Sequence, residues 1–185
     1  MAVEWDAVEM YDVEPVLIPG LLQTPAYTRA LARIHFPGAD EERTDMQATV
    51  RQDRRKVLTR ADPLQLWVVV CESALYHEVG GIDVMREQLE SLLTDSNLPK
   101  VELQILPKES PMNAALVGPF VIMSFAPSSA EDLVHGELDN GTVHYAEPGD
   151  AERFAALFRR LNMAALDPST SRALIRRVLK ETAAE

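Results

Sequence analysis

Two prolines, Pro19 and Pro25, fix where this chain turns and where its first long helix can begin. Pro19-Gly20 is a turn dipeptide. Thr24 offers a hydroxyl as a helix N-cap, and Pro25 suits the first helical position, where its missing N–H costs nothing. The helix predicted from Pro25 runs to about Ile34 and stops at Phe36-Pro37-Gly38. Everything else in the chain has to be arranged around this corner.

Before the corner, Met1 to Asp12 is acidic and carries Val3, Trp5, Val8 and Tyr11 at helical spacing, which predicts a short amphipathic helix. After it, Asp40 caps a helix expected to reach about Arg60, with Glu41 and Glu42 complementing its dipole and Met46, Val50, Val57 and Leu58 facing inward. Its second half holds Arg51, Arg54, Arg55, Lys56 and Arg60, which could dock an acidic partner or anionic ligand, although a solvated basic face is the plainer account. Leu64 to Val70 is a β-branched apolar run and reads as a buried strand. It ends at Cys71-Glu72-Ser73, where Ser73 can cap a short helix and Glu72 stands at a strand end, a common place for site residues. Cys71 has no nucleophile signature around it and reads as a small core thiol.

Farther on, Asp83 is placed to cap a helix with Met85, Leu89 and Leu92 on one face. Val101, Leu103 and Ile105 alternate with Glu102 and Gln104 as a strand with one wetter face. Lys108 to Leu116 has no period and suits a flap over a pocket, and Pro119 to Phe125 is a further apolar strand. Asn140-Gly141 predicts a two-residue hairpin turn that sets Glu137 opposite His144 and His135 opposite Ala146. Val134, Leu138, Val143 and Tyr145 then face the core, while His135, Glu137 and His144 share the other face. That trio could transfer protons or surround a divalent metal. Its spacing matches no recognised metal signature, and a solvated cross-strand pair is the plainer reading, so neither metal nor cofactor is expected. Asp150 and Asp167-Pro168 open two C-terminal helices.

Together these elements predict an α+β domain: a mixed, mostly antiparallel sheet of about five strands, a helical N-terminal part and two C-terminal helices. With 185 residues, 46% of them hydrophobic, the whole span 1–185 suits one domain that buries roughly 70% of its unfolded surface. A single cysteine rules out an internal disulfide and suits a reducing cytoplasm. No apolar run approaches the roughly 20 residues of a membrane span. A net charge of -11 argues against direct nucleic-acid binding, which cationic side chains drive.

The residues at the corner also carry a resemblance. Pro19-Gly20-Leu21-Leu22-Gln23-Thr24, followed by Tyr27, Arg29, Ala30 and Leu31, resembles the C-terminal domain of actinobacterial XRE-type helix-turn-helix regulators, antitoxin-like proteins often encoded beside a small partner. Similar wording recurs at Arg51-Gln52, Glu72 to Leu75, Val79-Gly80-Gly81, Gln88-Leu89, Val101 to Pro107, Gly118 to Phe120, Phe125, Glu137 and Leu161 to Ser171. In such regulators a DNA-binding module precedes the domain. Only eighteen residues precede Pro19 here, so residues 1–16 would be the connector helix of an effector domain, or the chain a stand-alone version with another task.

The resemblance implies a domain that binds a small-molecule ligand or the small protein of the adjacent gene. Gln23, Arg51, Gln52, Glu72, Gln88 and Glu137 are then the expected ligand-binding residues. No P-loop, dinucleotide fingerprint, nucleophile elbow or zinc-protease motif is present. An enzymatic alternative would use Glu72 or Glu137 as acid or base, with His77, His135 or His144 nearby. A homodimerisation module is the third class of function.

Overall fold

The computed structural model describes residues 3–112, 114, 118–126, 132–138 and 141–182. Strands β1 (Ala7–Glu14), β2 (Gln65–Cys71), β3 (Val101–Leu106), β4 (Phe120–Phe125), β5 (Leu133–Leu138) and β6 (Gly141–Tyr145) form one sheet in the order β3-β2-β1-β4-β5-β6. The pairs β1–β2 and β2–β3 are parallel, and the other three pairs are antiparallel. Among the described residues five α-helices accompany it: α1 (Pro25–His35), α2 (Glu41–Arg55), α3 (Ile82–Asp95), α4 (Asp150–Ala164) and α5 (Pro168–Thr182). The α+β class and the mixed sheet follow the sequence pattern, but the sheet has six strands rather than about five.

The additional strand is β1, which corrects the N-terminal helix expected over Met1 to Asp12. Among the described residues there, only a 3-10 turn at Val3–Trp5 is helical. β1 lies between β2 and β4 and is hydrogen-bonded along both edges, so ladder pairing outweighs the poor strand propensity of Glu9, Asp12 and Glu14. Its alternation serves both faces. Met10 enters one core with Leu66, Val68, Val70, Leu103 and Ile105, covered by α3 and α5 through Met85, Leu89, Leu92, Ile175 and Val178. Val13 enters the other with Val69, Phe120, Ile122 and Val134, covered by α4 through Phe154, Phe158 and Leu161. Tyr11 stacks on Trp67 on that α4 face, ring centroids 4.8 Å apart. The two C-terminal helices therefore cover opposite faces.

Several caps behave as their residue types require. Thr24 accepts from the Tyr27 N–H at 3.2 Å, and Asp40 from the Arg43 N–H at 2.9 Å. Asp167 accepts from the Ser169 and Thr170 N–H groups at 2.9 and 3.1 Å and from the Thr170 hydroxyl at 2.5 Å. Three predicted caps fall elsewhere: Gly81 occupies the cap of α3 and Gly149 that of α4, while the Ser73 hydroxyl donates to the Pro15 carbonyl at 3.3 Å.

The bonds from Thr170 and Ser169 hold the Asp167 carboxyl well below the usual carboxylate range. A depressed native pKa stabilises the fold fully above the unfolded pKa and loses that contribution as pH falls through the native one. Asp167→Ala is therefore expected to lower the thermal midpoint at neutral pH. Melts stepped into acid should show the gap to the native protein narrowing through the ordinary carboxylate range and continuing to narrow below it.

The hairpin register also differs from expectation. Leu138 pairs with Gly141, Glu137 with Thr142, His135 with His144 and Val134 with Tyr145. Gly141 thus begins β6, and residues 139 and 140, including the Asn140 half of the predicted turn, lie outside the described residues. The slip is two residues, one full pleat period, so the alternation of the strands is kept while the partners change. Packing decides it: Val134 is buried and Tyr145, opposite, lies 4.6 Å from the Phe154 ring of α4. Val143, expected in the core, lies exposed on the edge strand. At the other edge, Ile105 is bonded through its carbonyl to the Leu166 N–H and through its N–H to the Ser171 hydroxyl, both at 2.9 Å. The connection between α4 and α5 thus closes the β3 edge against further pairing.

Candidate functional site

The corner at Pro19 is a hydrogen-bonded hub. Gln23 Nε2 donates to the Ile18 carbonyl at 2.7 Å, and its Oε1 accepts from the Thr28 hydroxyl at 3.2 Å. Gln52 of α2 donates to the Gln23 carbonyl at 3.0 Å. Gln88 of α3, fully buried, donates to the Leu22 carbonyl at 2.7 Å and accepts from the Thr24 N–H at 2.8 Å. The Tyr27 hydroxyl accepts from the Ile18 N–H at 3.2 Å, and burial pushes its pKa up to about 12. A turn so deep in the protein must have its backbone groups paired, and three glutamines from three elements do the pairing. The glutamines expected to bind a ligand thus set the geometry of the corner, although Gln23 also reaches a cavity wall.

That cavity has a volume of about 1030 Å³ and lies between α1, α2 and the end of the sheet where β1 finishes. Leu31 and Ile34 of α1, Met46 and Val50 of α2, and Val16, Phe36 and Val79 supply apolar walls. Glu14, Gln23, Thr28, His35, Gln47, Arg51, Arg54 and Thr142 supply the polar ones. Met46 and Val50, predicted to face inward, are 62% and 54% exposed, and Ile34 is 61% exposed. Helical periodicity marks a stripe as apolar but does not say whether a core or an open cavity lies in front of it.

The basic residues between Arg51 and Arg60 are engaged within the protein. Arg54 pairs with the buried Glu4 carboxylate, and Arg55 pairs with Asp95 and donates to the Leu21 carbonyl. Lys56 pairs with Asp53, and Arg60 donates to the Asp62 and Ala7 carbonyls. Burial pushes the Asp95 carboxyl upward while Arg55 pulls the other way. Arg51 lies against Gly20, where an added Cβ would come within 2.2 Å of its Nη1. Gly20 is thus the small residue that lets a cavity-lining guanidinium reach the turn backbone.

The family model for a domain of unknown function, DUF5753, matches residues 1–177. The chain belongs to that family. No curated protein and no solved structure matches it.

In this DUF5753 domain the remaining candidate residues are divided between places. Glu72 is buried at the end of β2, where its carboxylate accepts from the Lys108 N–H at 3.1 Å and lies 3.5 Å from the Arg177 guanidinium of α5. It ties two elements together and does not line the cavity. Glu137 is on β5, and β1 and β4 stand between its strand and β2. His135 and His144 are directly opposite, ring centroids 6.1 Å apart. Among the described residues no three His, Cys, Asp or Glu side chains are grouped to hold a metal. His77 contacts the Val16 carbonyl through Nδ1 at 3.0 Å. Burial pushes the Cys71 thiol upward, opposite to what a reactive thiolate needs. Within the expected flap, Met112 and Ala114 belong to the α4-side core, and residues 113 and 115–117 lie outside the described residues.

One row of paired residues crosses the whole sheet on the α3 and α5 face: Leu103, Val68, Asp12, Val121, His135 and His144. Its residues are apolar at Leu103, Val68 and Val121 and ionisable at the buried Asp12 and at His135 and His144. The next row continues from Ile105 and Val70 to Glu14, and Glu14 and Thr142 both line the cavity. Glu14 on the cavity and Asp12 buried in the sheet are both placements that the helical reading of the N-terminus concealed. Strict alternation about Tyr11 and Val13 was the signal for them.

Proposed function

We propose that the domain is a binding module of regulatory type, taking a small-molecule ligand or a small partner protein in the cavity between α1, α2 and the end of β1. The observation that carries this is the exposure of Ile34, Met46 and Val50 around one opening. Apolar side chains left in water around a concavity are a feature of recognition sites. The resemblance to effector domains of helix-turn-helix regulators supports the regulatory part, as does the hub that joins the cavity walls to α3. The module acts in the cytoplasm, and its protein partner is the small product of an adjacent gene. No helix among the described residues is long and apolar enough to cross a membrane. A regulatory ligand must favour one state of the domain over another, and α1 and α2, joined to the sheet at the corner, are the elements it would bias.

Val50→Arg tests this reading. Because Val50 is exposed, stability should change by no more than about 0.5 kcal/mol. Native mass spectrometry of the protein purified from its own host, alone and mixed with the neighbouring gene's product, should show a bound species that Val50→Arg removes. Retention of every bound species by the folded variant would exclude the cavity as the binding site.

A further inference from the structure

We propose that the outer edge of β6 is a homodimer interface: two copies of the chain pair β6 with β6 antiparallel, about a two-fold axis at Val143, and join their sheets into one. Such pairing does not depend on what the cavity binds.

The two edges of the sheet are finished differently. β3 is closed by the α4–α5 connection, through the bonds of Ile105 to Leu166 and Ser171. β6 is the last strand at the other end, and among the described residues no strand lies beyond it. An open edge presents a row of N–H and C=O groups to any other strand, and chains that must stay apart guard it with lysine, proline or a bulge. Gly141 to Tyr145 has none of these. It contains no proline and no Asp, Glu, Lys or Arg, and its register with β5 runs without a break. In a chain with 29 acidic residues and a net charge of -11, this strand lets two copies meet without like charges directly opposite.

The hairpin sets the register. Residues of an antiparallel strand alternate between bonding to the partner and pointing their backbone groups away from it. With Leu138 and Gly141 as the innermost pair, Gly141, Val143 and Tyr145 bond to β5, and the backbone groups of Thr142 and His144 point outward. Both outward residues of both copies are used when Thr142 of one copy meets His144 of the other, which makes about four hydrogen bonds around the axis. Centring the pair on Thr142 or His144 instead would keep about half of them. Val143 then stands opposite its own counterpart in the close, non-bonded type of pair, where two β-branched side chains pack well. It is 38% exposed in the single chain, so the contact covers apolar surface. Gly141 comes opposite Tyr145 and leaves room for a ring that already leans on Phe154. Because the β3 edge is closed, the sheet extends once and stops, giving a closed two-fold dimer and not a fibre. Five residues a side bury less than a standard interface, so the dimer should be weak, with a dissociation constant of about 1–100 μM.

The test is sedimentation equilibrium of the full chain from about 1 μM to about 500 μM, a range chosen to bracket that constant. A monomer–dimer equilibrium is expected, tighter in higher salt as the net charge is screened. Val143→Lys and Val143→Glu each set like charges opposite one another across the axis and should weaken the dimer at least about tenfold, whereas an equimolar mixture of the two should dimerise again. Val143→Thr, β-branched and uncharged, should associate as the native chain does. Hydrogen exchange needs no variant: on dilution through the transition the Thr142 and His144 amides should exchange faster, with those of β3 unchanged. A native chain that stays monomeric throughout, a dimer that survives Val143→Lys, or exchange in β6 that ignores dilution would overturn the pairing. Protection of β6 by the adjacent gene's product, in a chain that never self-associates, would overturn it as well and give the edge to that partner.

Discussion

Replacing Gln88 by leucine is expected to destabilise the domain by about 2–5 kcal/mol, although the side chain touches no surface and the two residues are of similar size. Its two hydrogen bonds go to backbone groups of the turn, the Leu22 carbonyl and the Thr24 N–H. Both lie at a site from which water is excluded, and each buried group left unpaired costs about 1–3 kcal/mol. The damage spreads because Thr24 is also the N-cap of α1, so the helix start and the corner loosen together. Gln88→Glu should be no milder: it keeps an acceptor for Thr24 but loses the donor to Leu22 and buries a charge beside a carbonyl. Gln52→Leu removes one partly buried bond and should cost only about 0.5–1.5 kcal/mol. Urea unfolding of the three variants measures this ranking. A Gln88→Leu protein as stable as the native one would mean that the corner finds other partners.

Gly80→Ala is the second large effect, expected to cost about 2–4 kcal/mol. Gly80 has φ +79°, a left-handed conformation that costs other residues roughly 1–2 kcal/mol. Space is lacking as well, since an added Cβ would stand 2.7 Å from the Ala30 Cβ of α1 and 3.2 Å from both Val84 methyls of α3. Ala30 has no flexible end to move aside, so α1 must shift away from α3, and overpacking of this kind costs about 1–3 kcal/mol. Because Leu31 and Ile34 line the cavity, the same shift should weaken ligand binding. Gly38 also has positive φ but nothing within 4 Å, so Gly38→Ala should carry the conformational cost alone. Paired thermal melts would separate the two contributions, and equal losses at Gly38 and Gly80 would rule out the contact with Ala30.

Much of this architecture is readable in local chemistry. Thr24-Pro25, Asp40 and Asp167 announce helix starts because their side chains do the same work in any protein, and Leu64 to Val70 announces a strand because little else suits such a run. The readings that fail share one physical reason: they depend on what the segment meets in three dimensions. β1 carries three carboxylates, and only its position between two strands makes it extended. The Asn-Gly hairpin slips by a pleat because Val134 and Tyr145 pack together on α4. Met46 and Val50 have the spacing of core residues yet open onto a cavity, and no pattern within α2 distinguishes the two. The candidate site was legible in its place and less so in its parts. Gln23 and Arg51 do line the cavity, Gln52 and Gln88 act through the corner, and Glu72 belongs to another end of the molecule.

The most direct test of the central claim is hydrogen exchange measured by mass spectrometry, comparing the full chain as isolated from its host with the same chain stripped of bound species. Occupation of the cavity predicts slower exchange in residues 14–23, in the second half of α1 and in the second half of α2, with α4 and the Glu72 to Lys108 end of the sheet unchanged. Protection confined to α4 or to the Glu72 end, with α1 and α2 exchanging as before, would contradict it and move the binding site to the other side of the molecule.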